Sequence, residues 1–425
     1  MNKILIYLSV LTLFSCTPDD YEIVEFDYQP EKVKYVETKI NSDIYYKNGV
    51  NTLDASFLYY DIVTYIEKDF EVNEDGDTIT ITEEVTDTLR LKNDRVPLSE
   101  ISFYDENNEP LEFPLVINDD RSEIEIFAEV SGIRAEKGLK VSILPLDENH
   151  DKVTIPVVFH MIESKDYDFF SYEASDFQRI IDQLNAVYDN PEYRAANSGN
   201  PNIEFTLAKY DPNGILLGMS GVNALNSAYD GADLSEEILD LTEDWSPEHY
   251  LNIYVSSAPA MDNYLPTDVF DTTDELEYLE GLDLTAFVSV EDVEAYARQI
   301  KQAELIGILI GAHFEDNISR YTYHFLSTNW PQVVGQHLGL IPTVVQSGNS
   351  GTDYCFDTFE YSELFKNSKE KKNLEGNYFD SENILDQVST NKVISAEQVK
   401  RVRWVLENCP SRQPWKSSFA LTGNQ

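Results

Sequence analysis

The segment 327–342 constrains the fold of this chain more than any other, and it reads Ser-Thr-Asn-Trp-Pro-Gln-Val-Val-Gly-Gln-His-Leu-Gly-Leu-Ile-Pro. In a helix, Gln332 and Gln336 project from one face, because residues four apart lie one above the other. Gly339 allows the chain to turn after the helix and to bring Pro342 back toward that face. The segment therefore predicts a short helix, a glycine turn and a shared face for the two glutamines.

This pattern resembles the active-site helix of the pappalysin-like metzincins, of the ulilysin and cytophagalysin type, in which it reads H-E-x-G-H-x-L-G-L-x-H. The residues that keep their place in the pattern are Gly335, Leu338, Gly339 and Leu340. The resemblance covers residues 151–410. It implies a metzincin-like domain in which this helix is the element that carried the zinc site.

The residues that perform the chemistry in that family are all replaced here. The resemblance places Gln332, Gln336 and Pro342 at the three zinc-ligand positions and Val333 at the position of the general base. A catalytic zinc keeps three protein ligands and activates a water molecule, whose proton the base accepts. An amide oxygen is a poor zinc ligand, proline has no ligating group, and valine cannot accept a proton. The resemblance thus implies a domain that has lost its zinc and its catalytic residues.

Other segments match the family in the same order along the chain. They are a buried strand at 153–160, an amphipathic helix at 174–190, strands at 201–208 and 250–255, and a terminal helix at 395–408 capped by Ser395 and Gln398. The segment 381–386 resembles the family's Met-turn, with Leu385 in place of the methionine. His160 is interpreted as a core packing residue and His337 as a packing or surface residue, rather than as metal ligands.

The first residues predict export and a lipid anchor. Lys3 precedes an apolar run at 4–14 that is too short to span a bilayer, so residues 1–15 are interpreted as a signal peptide. The run ends Leu-Phe-Ser-Cys16, which resembles a bacterial lipobox, and Cys16 is the predicted lipidation site. An ordinary signal peptide with an incidental cysteine is the alternative. Acidic residues at 19, 20 and 22 resemble the surface-export signal of Bacteroidota lipoproteins. We therefore expect an outer-membrane lipoprotein, exposed on the cell surface.

Two further cysteines, Cys355 and Cys409, predict a disulfide, because an exported chain meets an oxidising compartment. Such a bond would stabilise the fold by about 4 kcal/mol in the loop-entropy model. It would tie the loop after the 327–342 helix to the end of the terminal helix. Two free thiols are the alternative.

The net charge of −46 limits the classes of partner. It argues against nucleic acid and against anionic membrane surfaces, because both would repel the chain. Contact with the membrane is expected through the N-terminal lipid instead. An acidic chain can attract calcium, and the family resemblance makes Asp353 and Asp357 calcium candidates, since they lie in a loop similar to the family's acidic loop.

The predicted fold class is α+β, in two domains. Residues 16–148 alternate apolar and polar side chains, for example at 78–82, 123–126 and 139–144, and Asp75-Gly76 is typical of a hairpin turn. This pattern favours an N-terminal immunoglobulin-like β-sandwich. Residues 149–416 mix strands and helices as a metzincin-like α/β metalloprotease-fold domain does, and residues 417–425 form a tail.

Three functions remain open from the sequence. The first is a lipid-anchored pseudoprotease that binds an unidentified peptide or protein, because a peptide can still add to a sheet edge without catalysis. The second is an active zinc metallopeptidase, against which Gln332, Val333 and Gln336 argue. The third is a glycan-binding or structural surface protein, with the pairs Tyr45-Tyr46 and Tyr59-Tyr60 as candidate contacts.

Overall fold

The structure, a computed structural model, describes residues 28–72, 78–146, 150–163, 172–189, 191–192, 194–226, 244–256, 308–311, 328–345, 353–365, 368–386, 392–408 and 412–424. The signal segment with Cys16, the turn at 73–77 and Cys409 lie outside these residues, so what is predicted for them stays a prediction. The described chain is mixed α+β, with many strands and few helices. Within it, no helix has both the length and the apolar character needed to cross a membrane.

The described part of the chain before residue 147 consists of strands and short turns, and it contains no α-helix. The strands are β1 (Val33–Ile40), β2 (Ile44–Lys47), β3 (Ala55–Val72), β4 (Thr78–Arg90), β5 (Ile101–Tyr104), β6 (Pro110–Leu111), β7 (Glu123–Val130), β8 (Ile133–Arg134) and β9 (Leu139–Pro145). Short 3-10 helices lie at Pro30–Lys32, Asn93–Arg95 and Leu98–Glu100. The strands predicted at 78–82, 123–126 and 139–144 are all present.

These strands form two sheets that share a hydrophobic core. One sheet has the antiparallel order β1-β3-β4, and the other has the order β2-β9-β7-β5-β6 with β8 on β7. Every second residue of β7 is buried, and Ala128 and Val130 pack with Val36 of β1 and Tyr59 of β3. The core between the sheets therefore forms from alternating side chains, as expected for strands with one buried face. The immunoglobulin-like topology stays a prediction.

A parallel sheet is the centre of the remaining chain. Its strands are β10 (Val153–Glu163), β11 (Ile203–Leu207), β12 (Val222–Asn226), β13 (Leu251–Ser256) and β14 (Ile308–Gly311). Their order is β11-β10-β13-β14, and β12 pairs with the second half of β10. Successive residues of β10 from Ile155 to Phe159 point to opposite faces, and nearly all are buried. A central strand of a parallel sheet is covered on both faces, which explains its continuous apolar run.

Helices and short strand pairs surround this sheet. The α-helices are α1 (Ala174–Tyr188), α2 (Trp330–His337), α3 (Ala396–Asn408) and α4 (Phe419–Thr422). The strand pairs are β15 (Val344–Val345) with β16 (Tyr361–Ser362) and β17 (Glu370–Lys372) with β18 (Tyr378–Asp380), and 3-10 helices lie at Glu363–Phe365 and Pro414–Lys416. One hydrophobic cluster joins the sheet, α1, α2 and α3. The predicted capping box is confirmed: Ser395 N donates to Gln398 Oε1 at 3.0 Å, and Gln398 N donates to Ser395 Oγ at 3.3 Å.

The N-terminal strands are joined to the parallel-sheet part by backbone and ionic contacts. The backbone N–H of Tyr46 donates to the carbonyl of Ala196 at 2.8 Å. Lys39 is buried, and its Nζ lies 3.0 Å from the Asp380 carboxylate and 3.3 Å from the Glu370 carboxylate. The two parts are therefore held by polar contacts in addition to packing.

Candidate functional site

Helix α2 is the element on which the sequence places the site. It begins at Trp330, with Pro331 in its first turn, where a missing N–H costs no hydrogen bond. Trp330 and Val334 are fully buried in the cluster shared with the sheet and α1. Gln332 and Gln336 are only half-buried. Each is two positions from Val334 along the helix, which is about half a turn, so both lie on the side opposite Val334.

Two glycines allow neighbouring helices to approach α2 closely. A Cβ at Gly335 would lie 2.8 Å from the hydroxyl oxygen of Tyr188 on α1. That hydroxyl also donates a hydrogen bond of 2.7 Å to the carbonyl of Pro331. Gly339 has a φ of 91°, and a Cβ there would lie 2.8 Å from Cγ2 of Val405 on α3. The packing of α2 against α1 and α3 thus depends on two of the residues that carry the family resemblance.

The turn at 381–386 packs against α2 and the chain that follows it. Leu385 is fully buried in the same cluster as Val333. The Asp386 carboxylate accepts hydrogen bonds from the Thr343 hydroxyl at 2.7 Å and the Ser381 hydroxyl at 3.0 Å. Burial raises the pKa of Asp386 to about 6. Leu385 therefore supplies an apolar contact to the core where the resemblance expects a methionine, and a buried carboxyl holds the turn in place.

The positions at which the resemblance expects zinc ligands do not provide a zinc site. The side-chain oxygen of Gln332 accepts a hydrogen bond from Asn329 Nδ2 at 3.3 Å, and Val333 lies in the apolar core. Pro342 has no ligating group, and Gln336 offers an amide. Among the residues that the structure describes, no three His, Cys, Asp or Glu side chains are grouped to share a metal ion. Zinc needs nitrogen, thiolate or carboxylate ligands, so this donor set does not fit it.

His160 lies on β10, inside the parallel-sheet part, and is completely buried. Its Nε2 is 2.9 Å from Asn252 Oδ1, and its Nδ1 is 3.0 Å from Asn223 Nδ2. Burial lowers the pKa of His160 to about 4. A neutral ring with both nitrogens engaged by amides is a packing residue, as the sequence interpretation held.

His337, the last residue of α2, is also buried. Burial lowers the pKa of His337 well below its ordinary value, and the nearby Arg412 guanidinium lowers it further. Arg412 Nε donates a hydrogen bond to the His337 carbonyl at 3.1 Å. The ring is therefore neutral, and His337 joins the end of α2 to the C-terminal segment.

The acidic loop at 353–358 connects to the start of α3. The Asp357 carboxylate accepts hydrogen bonds from the Ser395 hydroxyl at 2.6 Å and the Glu397 backbone N–H at 3.0 Å. Asp353 accepts one from the Cys355 N–H at 3.0 Å. Burial raises the pKa of Asp353 to about 7 and that of Asp357 to about 8. Asp357 therefore holds the loop against α3, and Asp353 holds the loop together from within. Their role as calcium ligands stays a prediction.

Cys355 lies at the centre of this loop and is a buried free thiol. Burial and the neighbouring Asp353 carboxyl raise the pKa of the thiol well above its ordinary value. Its predicted partner, Cys409, lies outside the described residues. The disulfide therefore stays a prediction.

The polar contacts that fix the site were not predicted from the sequence. The bond from Tyr188 to the carbonyl of Pro331 spans 143 residues, and the bond from Thr343 to Asp386 spans 43. Local patterns carry no signal for such distant pairs. The sequence carries only indirect signals for these contacts. Tyr188 continues the apolar stripe of α1, and Asp386 ends the segment that resembles a Met-turn.

Comparison with known proteins gives distant structural similarity. No protein-family model matches the chain, and no curated protein matches it. A structure of mirolysin in complex with compound 9 has a TM-score of 0.42 and 20% sequence identity, over 65% of this chain and 100% of that chain.

Two further mirolysin structures from Tannerella forsythia are similar to this chain. Mature mirolysin in complex with a cleaved peptide has a TM-score of 0.41 and 18% identity, over 65% of this chain and 100% of that chain. A promirolysin mutant has a TM-score of 0.38 and 17% identity, over 64% and 86%. Similarity of this degree does not define an activity, so the function has to be argued from the residues of this chain.

Proposed function

We propose that this chain is an exported, lipid-anchored pseudoprotease whose second domain keeps a metzincin-like scaffold and binds a peptide or protein without cleaving it. The contrast along α2 carries the proposal. Gly335 and Gly339, which the packing with α1 and α3 requires, are retained. Gln332, Val333 and Gln336 stand where the resemblance expects the reacting residues. The scaffold is thus constrained by packing, while the chemistry that it once positioned is absent.

Peptide binding is supported by the edge of the parallel sheet. Within the described ranges, β14 pairs with β13 and with no other strand. Helix α2 contacts β14. An extended peptide can add to a free edge through main-chain hydrogen bonds, which need no metal ion.

The two alternatives are less well supported. An active zinc metallopeptidase needs a ligand set, and the amides and proline at α2 do not supply one. A glycan-binding role for the N-terminal strands needs accessible aromatic rings. Tyr45, Tyr46 and Tyr59 are buried, and Tyr60 is stacked on Tyr35 with ring centroids 4.1 Å apart. Tyr45, Tyr46 and Tyr59 therefore contribute to packing, whereas Tyr60 is half-buried against Tyr35, which is 39% exposed.

The lipid anchor in this proposal depends on Cys16, which follows the apolar run of the signal segment. A Cys16→Ala variant should move from the membrane fraction to the soluble fraction and lose its lipid label. A variant that stays in the membrane fraction with undiminished label would show that another feature anchors the chain.

The binding function is tested by incubating the purified chain with a library of extended peptides, with and without added zinc. Mass spectrometry measures cleavage, and affinity selection measures binding in the same samples. We expect saturable binding of a subset of peptides and no cleavage in either condition. Cleavage that a chelator abolishes would establish an active metallopeptidase, and the absence of any selected peptide would reject the binding function.

A further inference from the structure

The hairpin of β3 and β4 extends far beyond the sheet to which it belongs. β1 pairs with β3 only as far as Asp61, whereas β3 and β4 remain paired as far as Val72 and Thr78. Residues 62–72 and 78–88 therefore form a two-stranded arm, called here the β-ribbon, about 35 Å long at 3.4 Å per residue. In the described part of the chain, no strand pairs with the outer edge of β4.

The β-ribbon exposes aliphatic side chains in addition to this edge. Ile66 is 65% exposed, and Ile62 and Ile81 are each 40% exposed. A two-stranded hairpin is marginally stable by itself, and a long open edge is a template for pairing with another chain. The β-ribbon therefore has the geometry of a surface that a further strand completes.

The charge of the β-ribbon decides which chain can pair with it. The two strands of the β-ribbon, residues 62–72 and 78–88, carry six acidic residues and one basic residue, Lys68. Glu83, Glu84 and Asp87 on β4 are all exposed. Like charges on neighbouring strands are destabilising, so a second copy of this acidic chain is a poor partner for the edge. A strand of opposite charge is favoured for the same reason.

Apolar and acidic side chains alternate along one face of β4. Along one face, alternate residues run apolar, acidic, apolar, acidic, apolar: Ile81, Glu83, Val85, Asp87 and Leu89. We propose that the outer edge of β4 binds an extended, cationic segment of a partner protein, which adds to the β-ribbon as a strand. The matching face of that segment alternates apolar residues with Lys or Arg. This inference does not depend on the loss of the zinc site.

The proposal is tested with a labelled peptide that carries this complement, Val-Thr-Lys-Thr-Val-Thr-Lys-Thr-Val. Fluorescence anisotropy with the full chain in detergent measures its dissociation constant. A peptide with Glu in place of Lys controls for charge, and a peptide of the same composition with both Lys residues adjacent controls for pattern. We expect the matched peptide to bind at least about tenfold more tightly than either control, a difference of 1.4 kcal/mol. Equal binding of the matched and rearranged peptides would overturn the predicted pattern.

Two triple variants separate a local site from diffuse attraction to an acidic protein. The test variant is Glu67→Lys, Glu83→Lys and Asp87→Lys, which changes exposed acidic residues on one face of the β-ribbon. The matched control reverses three exposed acidic residues in the connections between other strands of the N-terminal part: Glu112→Lys, Asp120→Lys and Glu136→Lys. We expect the matched peptide to lose at least about tenfold in affinity with the test variant and less than about twofold with the control. Equal losses would overturn the proposal.

Strand addition itself has a separate readout. Hydrogen exchange of the full chain should slow at the backbone amides of 82–88 when the matched peptide is bound, since main-chain hydrogen bonds protect them. The variant Ile66→Thr keeps a β-branched side chain at an exposed position and leaves the pattern on β4 intact, so it should retain this protection. Binding without protection at 82–88, or a dimer of the chain alone that the test variant dissociates, would overturn the proposal.

Discussion

Gly335 faces Tyr188 at the end of α1, and its missing side chain permits this contact. Close contacts of single residues such as this one position α2, in addition to the pattern of apolar residues along the helix. Glutamines at 332 and 336 are compatible with the same packing, because their side chains lie away from the core. The residue that helix packing requires, Gly335, is therefore different from the residues at the positions where zinc would bind, Gln332 and Gln336.

A Gly335→Ala substitution should therefore destabilise the fold. The added Cβ would lie 2.8 Å from the Tyr188 hydroxyl oxygen, and overpacking of this kind costs about 1–3 kcal/mol. This exceeds the helix propensity gained by alanine, about 1 kcal/mol at most. The matched control is Gly218→Ala, where an added Cβ meets nothing within 4 Å. Denaturant midpoints measure both, and a Gly335→Ala variant as stable as the Gly218→Ala variant would contradict the packing described for α2.

Asp386 makes the stability of the chain depend on pH. Burial raises its pKa from 3.8 to about 6, so the folded state holds this proton more tightly than the unfolded state. Its contribution to stability is fully present below about pH 4 and is lost as the pH rises through 6; it amounts to about 2–3 kcal/mol. Asp353 and Asp357 shift in the same direction.

Urea unfolding should show that the chain is more stable at pH 5 than at pH 8. The same difference is measured in an Asp386→Asn variant. Asparagine carries no charge at either pH, so this variant should show a smaller difference between the two conditions. An identical difference in both proteins would mean that Asp386 does not titrate in this range.

At the scale of elements, periodic patterns predicted the core. The buried run of β10, the apolar stripe of α1 and the capping box of α3 are local signals, and the structure has each of them. The length of β3 and β4 was not predicted. Alternation predicted a strand only at 78–82, because beyond it Glu83 and Asp87 take positions on the face that carries Ile79 and Ile81.

Helix α2 offers a test of its own: restoring Gln332→His, Val333→Glu, Gln336→His and Pro342→His together should create a zinc site. Residues 332 and 336 lie one turn apart on one face, and the positive φ of Gly339 turns the chain toward position 342. Zinc sites contribute on the order of 10 kcal/mol, and about 8 kcal/mol gives micromolar affinity.

The matched control for this variant carries alanine at position 336, which removes one ligand and keeps the other three changes. Calorimetry should show uptake of one zinc by the restored protein and much weaker uptake by the control. If the restored protein folds and takes up no more zinc than the control, the assignment of ligand positions on α2 is wrong.

At the scale of the whole molecule, polar contacts between distant segments join the N-terminal strands to the parallel-sheet part. Lys39 is 5% exposed and lies between Glu370 and Asp380. A lysine in a strand pattern gives no sign of partners more than 300 residues away, which is why the sequence did not predict this contact. The strands at 78–82, 123–126 and 139–144 were predictable from their pattern, whereas the way in which the N-terminal strands join the rest of the chain was not.

A Lys39→Met substitution should lower the stability of the whole chain by about 1–3 kcal/mol, because the partly buried Asp380 carboxylate loses its ion pair and Glu370 keeps only the one with Arg90. The loss of stability should lie at the low end of this range, because Glu370 and Asp380 are 28% and 34% exposed and solvent screens their charges. The control is Lys140→Met, whose ion pair with Glu123 is exposed on both sides. Thermal unfolding that is equally affected by both substitutions would argue against a role for Lys39 in joining the two parts.

We propose that this chain has a metzincin-like scaffold that holds no zinc. The most direct test is elemental analysis of the purified chain, after exposure to zinc and mild dialysis. The ligand positions Gln332, Gln336 and Pro342 cannot hold the ion, so we predict zinc far below one equivalent per chain. Retention of about one zinc per chain, the stoichiometry of a catalytic site, would contradict the claim and would favour an active metallopeptidase.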